Sequence, residues 1–253
     1  MAGGQRNTRR RPANSIIGRA LRAGRRRAVM ITSRSSRRHA YVGPPRMWEQ
    51  KRRFQFEFLI SHGLAPESRL LDIGCGTLRG GIPLIDHLQT GHYTGVEARA
   101  EVLAEARKEL ADAGLERKHP RLIHAEDPAQ VQLQERVDVA WAFSVLFHMH
   151  DEIVDACLGL VARTLTEDGV FYANVSLSEQ REQQGRWQGF PVISRPRDFY
   201  GAIAARHGLA VSDVGRLDTL GHPKGLGDKS MMLRFARVDE VAVDVDGAQP
   251  SVS

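Results

Sequence analysis

Asp72, Gly74 and Gly76 stand together in "LLDIGCGTLRGG", residues 70–81, where an apolar run meets an acid and then two spaced glycines. Glycine lets a backbone turn sharply and approach a ligand closely. Glu97 follows 25 residues after Asp72, and a carboxylate there can accept hydrogen bonds from both hydroxyls of a ribose. Farther along, His148, His150, Asp151 and Glu152 cluster in "FHMHDE". A histidine titrates near neutral pH and can take the proton of an alcohol. The chemistry these types and spacings offer is a nucleoside pocket beside a proton acceptor. Each group also has a plainer role: glycine turns occur for packing alone, and Asp151 can cap the helix that it opens.

Such residues act together only if strands and helices bring them together. "RLLDIG" reads as a short buried strand, and "GIPLIDHLQTG" places Ile82, Ile85 and Leu88 on one helix face before Gly91. "HYTGVEA" is a second strand, and Val102, Leu103, Ala106 and Leu110 set a second helix. "PRLIHAED" and "RVDVAWAFSVL" are strands three and four. "DEIVDACLGLVARTLTEDG" is an amphipathic helix and "VFYANVS" strand five. "SRPRDFYGAIAARHG" reads as a helix entered near Pro196, starting at Ser194. "LAVSDVGRL" and "SMMLRFARV" are two last strands with no helix between them, hence a hairpin. Upstream, Trp48, Phe54, Phe58 and Leu59 recur at helical spacing in 45–62. The fold class is therefore α/β, a Rossmann-like doubly wound sheet of seven strands, mostly parallel with a C-terminal antiparallel hairpin.

In such a sheet ligands bind beyond the carboxyl ends of the strands, and "LLDIGCGT" fills the first strand-to-helix turn. A dinucleotide fingerprint would need glycine at position 79, where Arg79 stands. The stretch instead resembles the first motif of class I S-adenosylmethionine-dependent methyltransferases, and the resemblance extends over residues 66–237. It implies methyl transfer with S-adenosylmethionine as cofactor. By that resemblance Asp72, Gly74, Cys75, Gly76 and Thr77 form the cofactor turn and Glu97 is the ribose acid. Glu126 or Asp127 of "HAED" is the acid near the adenine amine, and Phe143 and Ser144 flank the cofactor. The family's third glycine is replaced by Leu78.

Methyl transfer from a sulfonium needs alignment and exclusion of water, and a base only when the acceptor is protonated. His148 is the candidate catalytic base, against a role in positioning the helix behind it. Asn174, Trp187 and His222 are the candidate acceptor contacts, against strand-end, loop-anchoring and solvated-turn roles. The polar stretch 176–196 reads as a lid or binding loop beside the site. The expected acceptor is a hydroxyl of a small molecule or glycan. The rivals are RNA or protein methylation docked by a basic arm, and a non-catalytic cofactor-binding protein. No histidine, cysteine or carboxylate spacing suggests a metal site.

Charge divides the chain. Residues 1–53 hold sixteen Lys or Arg and one acid, Glu49, whereas the remainder holds 20 basic and 29 acidic residues. Residues 1–40 read as a disordered basic arm able to meet nucleic acid or an anionic membrane. Residues 41–238 read as the methyltransferase domain, and 239–253 as an acidic flexible tail. Two cysteines, Cys75 and Cys157, make no disulfide framework. With no apolar run of ~20 residues, the expected location is cytoplasmic.

Overall fold

The structure, a computed structural model, describes residues 38–225, 227 and 229–238. The basic segment up to residue 37 and the acidic tail 239–253 lie outside the described residues. The core elements are α1 (Trp48–Ser61), β1 (Leu70–Ile73), α2 (Gly81–His87), β2 (Tyr93–Glu97), α3 (Ala100–Asp112), β3 (Arg121–His124) and β4 (Val137–Ala142). They continue as α4 (Asp151–Thr164), β5 (Leu165–Val175), β6 (Glu182–Trp187), β7 (Phe190–Ser194), α5 (Arg197–Arg206), β8 (Leu209–Arg216) and β9 (Met231–Arg237).

Seven strands form one sheet in the order β3-β2-β1-β4-β5-β9-β8. The first five run parallel, and β9 pairs antiparallel with both β5 and β8. Strand β9 thus inserts between β5 and β8, as the expected terminal hairpin. Side chains alternate across β1. Leu71 and Ile73 join the core under α4 and α5, while Leu70 packs with Phe54, Phe58, Leu84 and Leu103 of the helices on the other face. All four β1 residues are buried, including the acid Asp72, as a central strand covered on both faces requires. The chain leaves β1 for β2 on one side and later returns to β4 on the other. Strand order therefore reverses at β1, and a crevice opens beyond its carboxyl end.

Three element assignments change. The segment 165–169, read as the end of a helix, belongs to β5: α4 stops at Thr164, whose hydroxyl donates to the Leu160 carbonyl at 2.7 Å. A register shift between Val137 and Val139 lets β4 pair with this early part of β5. The stretch 176–196, read as a loop, contains a two-stranded hairpin of β6 and β7. Five of the six β6 residues are exposed, so no apolar alternation announced a strand. Ser194 ends β7 rather than starting a helix, and α5 follows Pro196.

Residues 38–40, counted with the arm because of their charge, are packed on the body. Arg38 is buried, with Nη2 donating to Asp112 at 2.5 Å and Nη1 3.4 Å from Glu109. His39 stacks on Trp48 with ring centroids 3.5 Å apart. Burial and the neighbouring arginines pull its imidazole down to about 4, so it is neutral at physiological pH.

Candidate functional site

A cleft of about 960 Å³ opens at the carboxyl ends of β1 and β4. Its floor is the turn after β1. Gly74 and Gly76 adopt φ of +72° and +58°, a region that penalises any other residue. The Gly74 and Cys75 amides both donate to the Val96 carbonyl, at 2.7 and 3.0 Å, tying the turn to β2. The space freed by the missing side chains is used by the protein itself. A Cβ on Gly74 would lie 2.4 Å from Val145, and one on Gly76 would lie 2.6 Å from Val42. Leu78, at the position of the missing third glycine, takes φ +62° and is fully buried. The turn is therefore kept, with the strain of a left-handed leucine offset by its burial among core residues.

Glu97 closes the floor. Its Oε2 accepts from the Gly76 amide at 3.0 Å, and its Oε1 accepts from the Arg99 amide and Nε at 3.1 and 3.0 Å. A carboxylate offers about four acceptor positions. Oε1 is saturated and Oε2 retains one, which fits a single ligand hydroxyl rather than two. Asp72 lies beneath, with Oδ2 accepting from the Tyr93 hydroxyl at 2.6 Å. Burial, aided by the charge of Glu97, pushes its carboxyl up to about 7. Burial likewise keeps the Cys75 thiol protonated.

The opposite wall is assembled from segments distant in sequence. His148 occupies a single turn, Leu146–His148, after β4. Its Nδ1 lies 2.8 Å from the Pro191 carbonyl in the β6–β7 hairpin, and its ring stacks on Trp187 at 5.3 Å. A carbonyl can only accept, so Nδ1 carries the proton and the neutral ring presents Nε2 as an acceptor. Burial lowers its pKa, outweighing the Pro191 carbonyl, and Arg99 lowers it further. Arg99 in turn lies over the Trp187 and Phe190 rings, at 5.9 and 5.5 Å, and donates to Gln188 Oε1 at 2.9 Å. Gln188 Nε2 donates to the Ala40 carbonyl at 3.1 Å. The hairpin tip and the strap of residues 38–44 thus meet over the cleft, and Arg99 links them to Glu97 on its floor.

Asp72, Gly74, Cys75, Gly76, Glu97, Glu126, Phe143, Ser144, His148 and Trp187, all named from sequence, line this cleft. Four others do not. Thr77 is buried behind the turn. Asp127 accepts from the Ala129 amide at 2.8 Å and so caps a turn, leaving Glu126 as the acid of that pair on the cleft. Asn174 Oδ1 accepts from the Ser144 amide at 2.6 Å, fixing Ser144 at φ +61° from behind rather than facing a ligand. His222 is buried edge-on against Phe54, 5.0 Å between centroids, and packs beside Phe143.

Asp151, which opens α4 beside His148, is committed elsewhere. Its Oδ1 accepts from Nε and Nη2 of the fully buried Arg195 at 2.9 and 2.7 Å, and Arg181 donates to its Oδ2 at 3.0 Å. These bonds tie the hairpin to the start of α4 and hold the Asp151 carboxyl below its ordinary range despite partial burial. Among the described residues no group of His, Cys, Asp and Glu is arranged to hold a metal ion. The reading from sequence passed over Arg79, Arg99 and the strap residues Val42 and Gly43, which line the cleft too. Only the departure from glycine at position 79 hinted at any of them.

Residues 71–171 match the family model of a methyltransferase domain. No curated protein sequence matches the chain. Among solved structures, the chain is similar to magnesium protoporphyrin IX methyltransferase from Synechocystis PCC 6803 with bound S-adenosylmethionine. Identity is 16%, covering 75% of this chain and 79% of that one, with a TM-score of 0.56. A glycopeptide N-methyltransferase complexed with S-adenosylhomocysteine matches at 17% identity over 75% and 90% of the two chains, TM-score 0.60. An S-adenosylmethionine-dependent methyltransferase from Clostridium acetobutylicum ATCC 824 matches at 14% over 76% and 92%, TM-score 0.55. The likeness to these structures is one of fold, and the matched segment 71–171 contains the glycine turn, Glu97 and His148.

Proposed function

We propose that this chain, which carries a class I S-adenosylmethionine-dependent methyltransferase domain, methylates a hydroxyl of a small-molecule or glycan acceptor. The cofactor supplies an electrophilic methyl group on sulfur. The glycine turn, Glu97 and Glu126 suit its adenosine: Oε2 of Glu97 has one acceptor position left for a ribose hydroxyl, and Glu126 lines the cleft after β3.

The observation that carries the hydroxyl assignment is His148. Its proton is held on Nδ1 by the Pro191 carbonyl, and no described residue donates to Nε2. Burial and the charge of Arg99 keep the ring neutral at physiological pH. A neutral imidazole whose tautomer is fixed by its second nitrogen can accept the proton of an attacking hydroxyl. Trp187 and Phe190, on the covering hairpin, exclude water and offer a flat apolar face to a sugar or ring.

The experiment is acceptor-dependent turnover. Full-length protein, S-adenosylmethionine and fractionated cell extract are incubated, and the methylated product is identified by mass. A methyl ether formed at a rate that rises with pH through a histidine pKa below 6.5 is the expected result. A product methylated on nitrogen or carbon at a pH-independent rate would overturn the hydroxyl assignment. Binding of S-adenosylmethionine without any turnover would favour a non-catalytic binder.

A further inference from the structure

Arg79 is a charged residue where a buried turn would ordinarily carry a small or apolar one. It is 9% exposed and lines the cleft, with its guanidinium carbon 6.0 Å from the Phe143 centroid. Nη1 donates to the Val42 carbonyl at 2.7 Å. Nε is buried without an acceptor, and the one hydrogen bond the guanidinium donates among the described residues is that from Nη1. Nε and Nη2 share one edge of the guanidinium and present two parallel N–H groups, the geometry that matches a carboxylate or phosphate bidentately. Asp72 does not occupy this edge. Its Oδ2 accepts from Tyr93, and it forms no ion pair with Arg79 among the described residues. Burial lowers the guanidinium only to about 10, so it is charged at neutral pH. A buried, unsatisfied charged donor is costly to a fold. A partner arriving with the ligand removes that cost.

We infer that Arg79 is an anion subsite in the cleft, its Nε/Nη2 edge receiving a carboxylate or phosphate-type oxyanion. The inference rests on the cofactor reading in one respect only. The anion comes either from the carboxylate of the cofactor's amino-acid tail or from an acidic group on the acceptor. The two sources share one chemistry and differ in when the anion arrives. With the first, Arg79 sets cofactor affinity. With the second, it selects acidic acceptors after the cofactor has bound.

Calorimetry on the full chain separates them with three probes: S-adenosylhomocysteine, its decarboxylated analogue, and inorganic phosphate with and without S-adenosylhomocysteine. The variants are Arg79→Met, which removes charge and fork, and Arg79→Lys, which keeps charge without the fork. Melting curves report folding, and if Arg79→Met melts far below wild type, Arg79→Lys carries the comparison. A wild-type preference for S-adenosylhomocysteine over the decarboxylated analogue of about 10–100-fold, collapsing in the variants, assigns the anion to the cofactor tail. A preference that survives substitution, with phosphate binding lost in both variants, assigns it to the acceptor. Natively melting variants that keep both the preference and phosphate binding, or a wild type showing neither, would overturn the subsite. Wild-type protein that binds phosphate through Arg79 yet no S-adenosylhomocysteine would uphold the subsite and sink the cofactor reading instead.

Discussion

The floor of the cleft and its cover are built on different principles. The floor, from Asp72 to Leu78 with Glu97, is held by backbone bonds to β2 and by contacts between neighbouring strands of one sheet. The cover consists of the β6–β7 hairpin and the strap of residues 38–44. It is held by side chains reaching across the molecule: Gln188 to Ala40, His148 to Pro191, Arg195 to Asp151. The floor has little freedom once the sheet has formed. The cover depends on a few polar contacts, many of them exposed, and such segments open at lower free energy than a core. On the function proposed above, we assign binding of the cofactor to the first region and handling of the acceptor to the second.

The largest effect that would test this division is on His148, where the two regions meet. His148→Ala should lower the single-turnover rate by about 10²–10⁴-fold, with cofactor affinity changed little. The acid limb of the wild-type pH–rate profile should lie below 6.5, because burial disfavours the charged ring, and it should vanish in the variant. An unchanged rate in a natively folded variant would move the base out of this cleft.

Glu97→Ala strikes the floor. Loss of a hydroxyl-to-carboxylate bond, together with the release of the Gly76 amide and Arg99, should weaken S-adenosylhomocysteine binding by about 10–100-fold. Calorimetry measures it directly, and an affinity within twofold of wild type would show that Glu97 serves only to hold the turn.

Asp72 sharpens the electrostatics of the floor. Its folded-state pKa of about 7 lies above the ordinary value of 3.8, so the folded state binds more protons than the unfolded state. Stability is then full at low pH, falls as pH rises from about 4, and reaches its lower level above about 7. Asp72→Asn removes that penalty, whose upper bound is about 4 kcal/mol. Without cofactor, the variant should melt several degrees above wild type at pH 8 and nearly with it at pH 4. A pH-independent difference would contradict the buried-charge account.

The smallest effect should come from the cover. Trp187→Ala removes the ring stacked on His148 and beneath Arg99. The expected outcome is an acceptor KM raised several-fold with cofactor affinity within about twofold, since stacking and cation–π contacts contribute ~0.5–2 kcal/mol. A fall in cofactor affinity larger than the rise in acceptor KM would erase the distinction between floor and cover.

What the sequence by itself determined follows the same line. The acid and two glycines after an apolar run, Glu97 at the end of the next strand, and the alternation of strands and helices are local patterns. Each is written within about 30 residues because the βαβ unit closes over that length. The seven-stranded sheet was legible in that way, and ten of the fourteen residues named from sequence line the cleft. Tertiary structure alone decided the rest. Asn174 carries a polar side chain at a strand end, and nothing local says that it faces back toward the Ser144 amide. Asp127 and Glu126 are adjacent acids, and only the turn at Pro128 directs one to cap it and leaves the other on the cleft. His222 reads as part of a polar connection, yet it is packed against Phe54 from a helix almost 170 residues earlier. In the β6–β7 hairpin, strand β6 has no apolar alternation because five of its six residues are exposed. The hairpin's place is set by Arg195, Gln188 and Pro191 meeting partners from 43 to 148 residues away. Local periodicity reports which face of an element seeks burial. It carries no record of which distant side chain will meet it, because that choice is made by chain crossings that the sheet imposes only after it has folded.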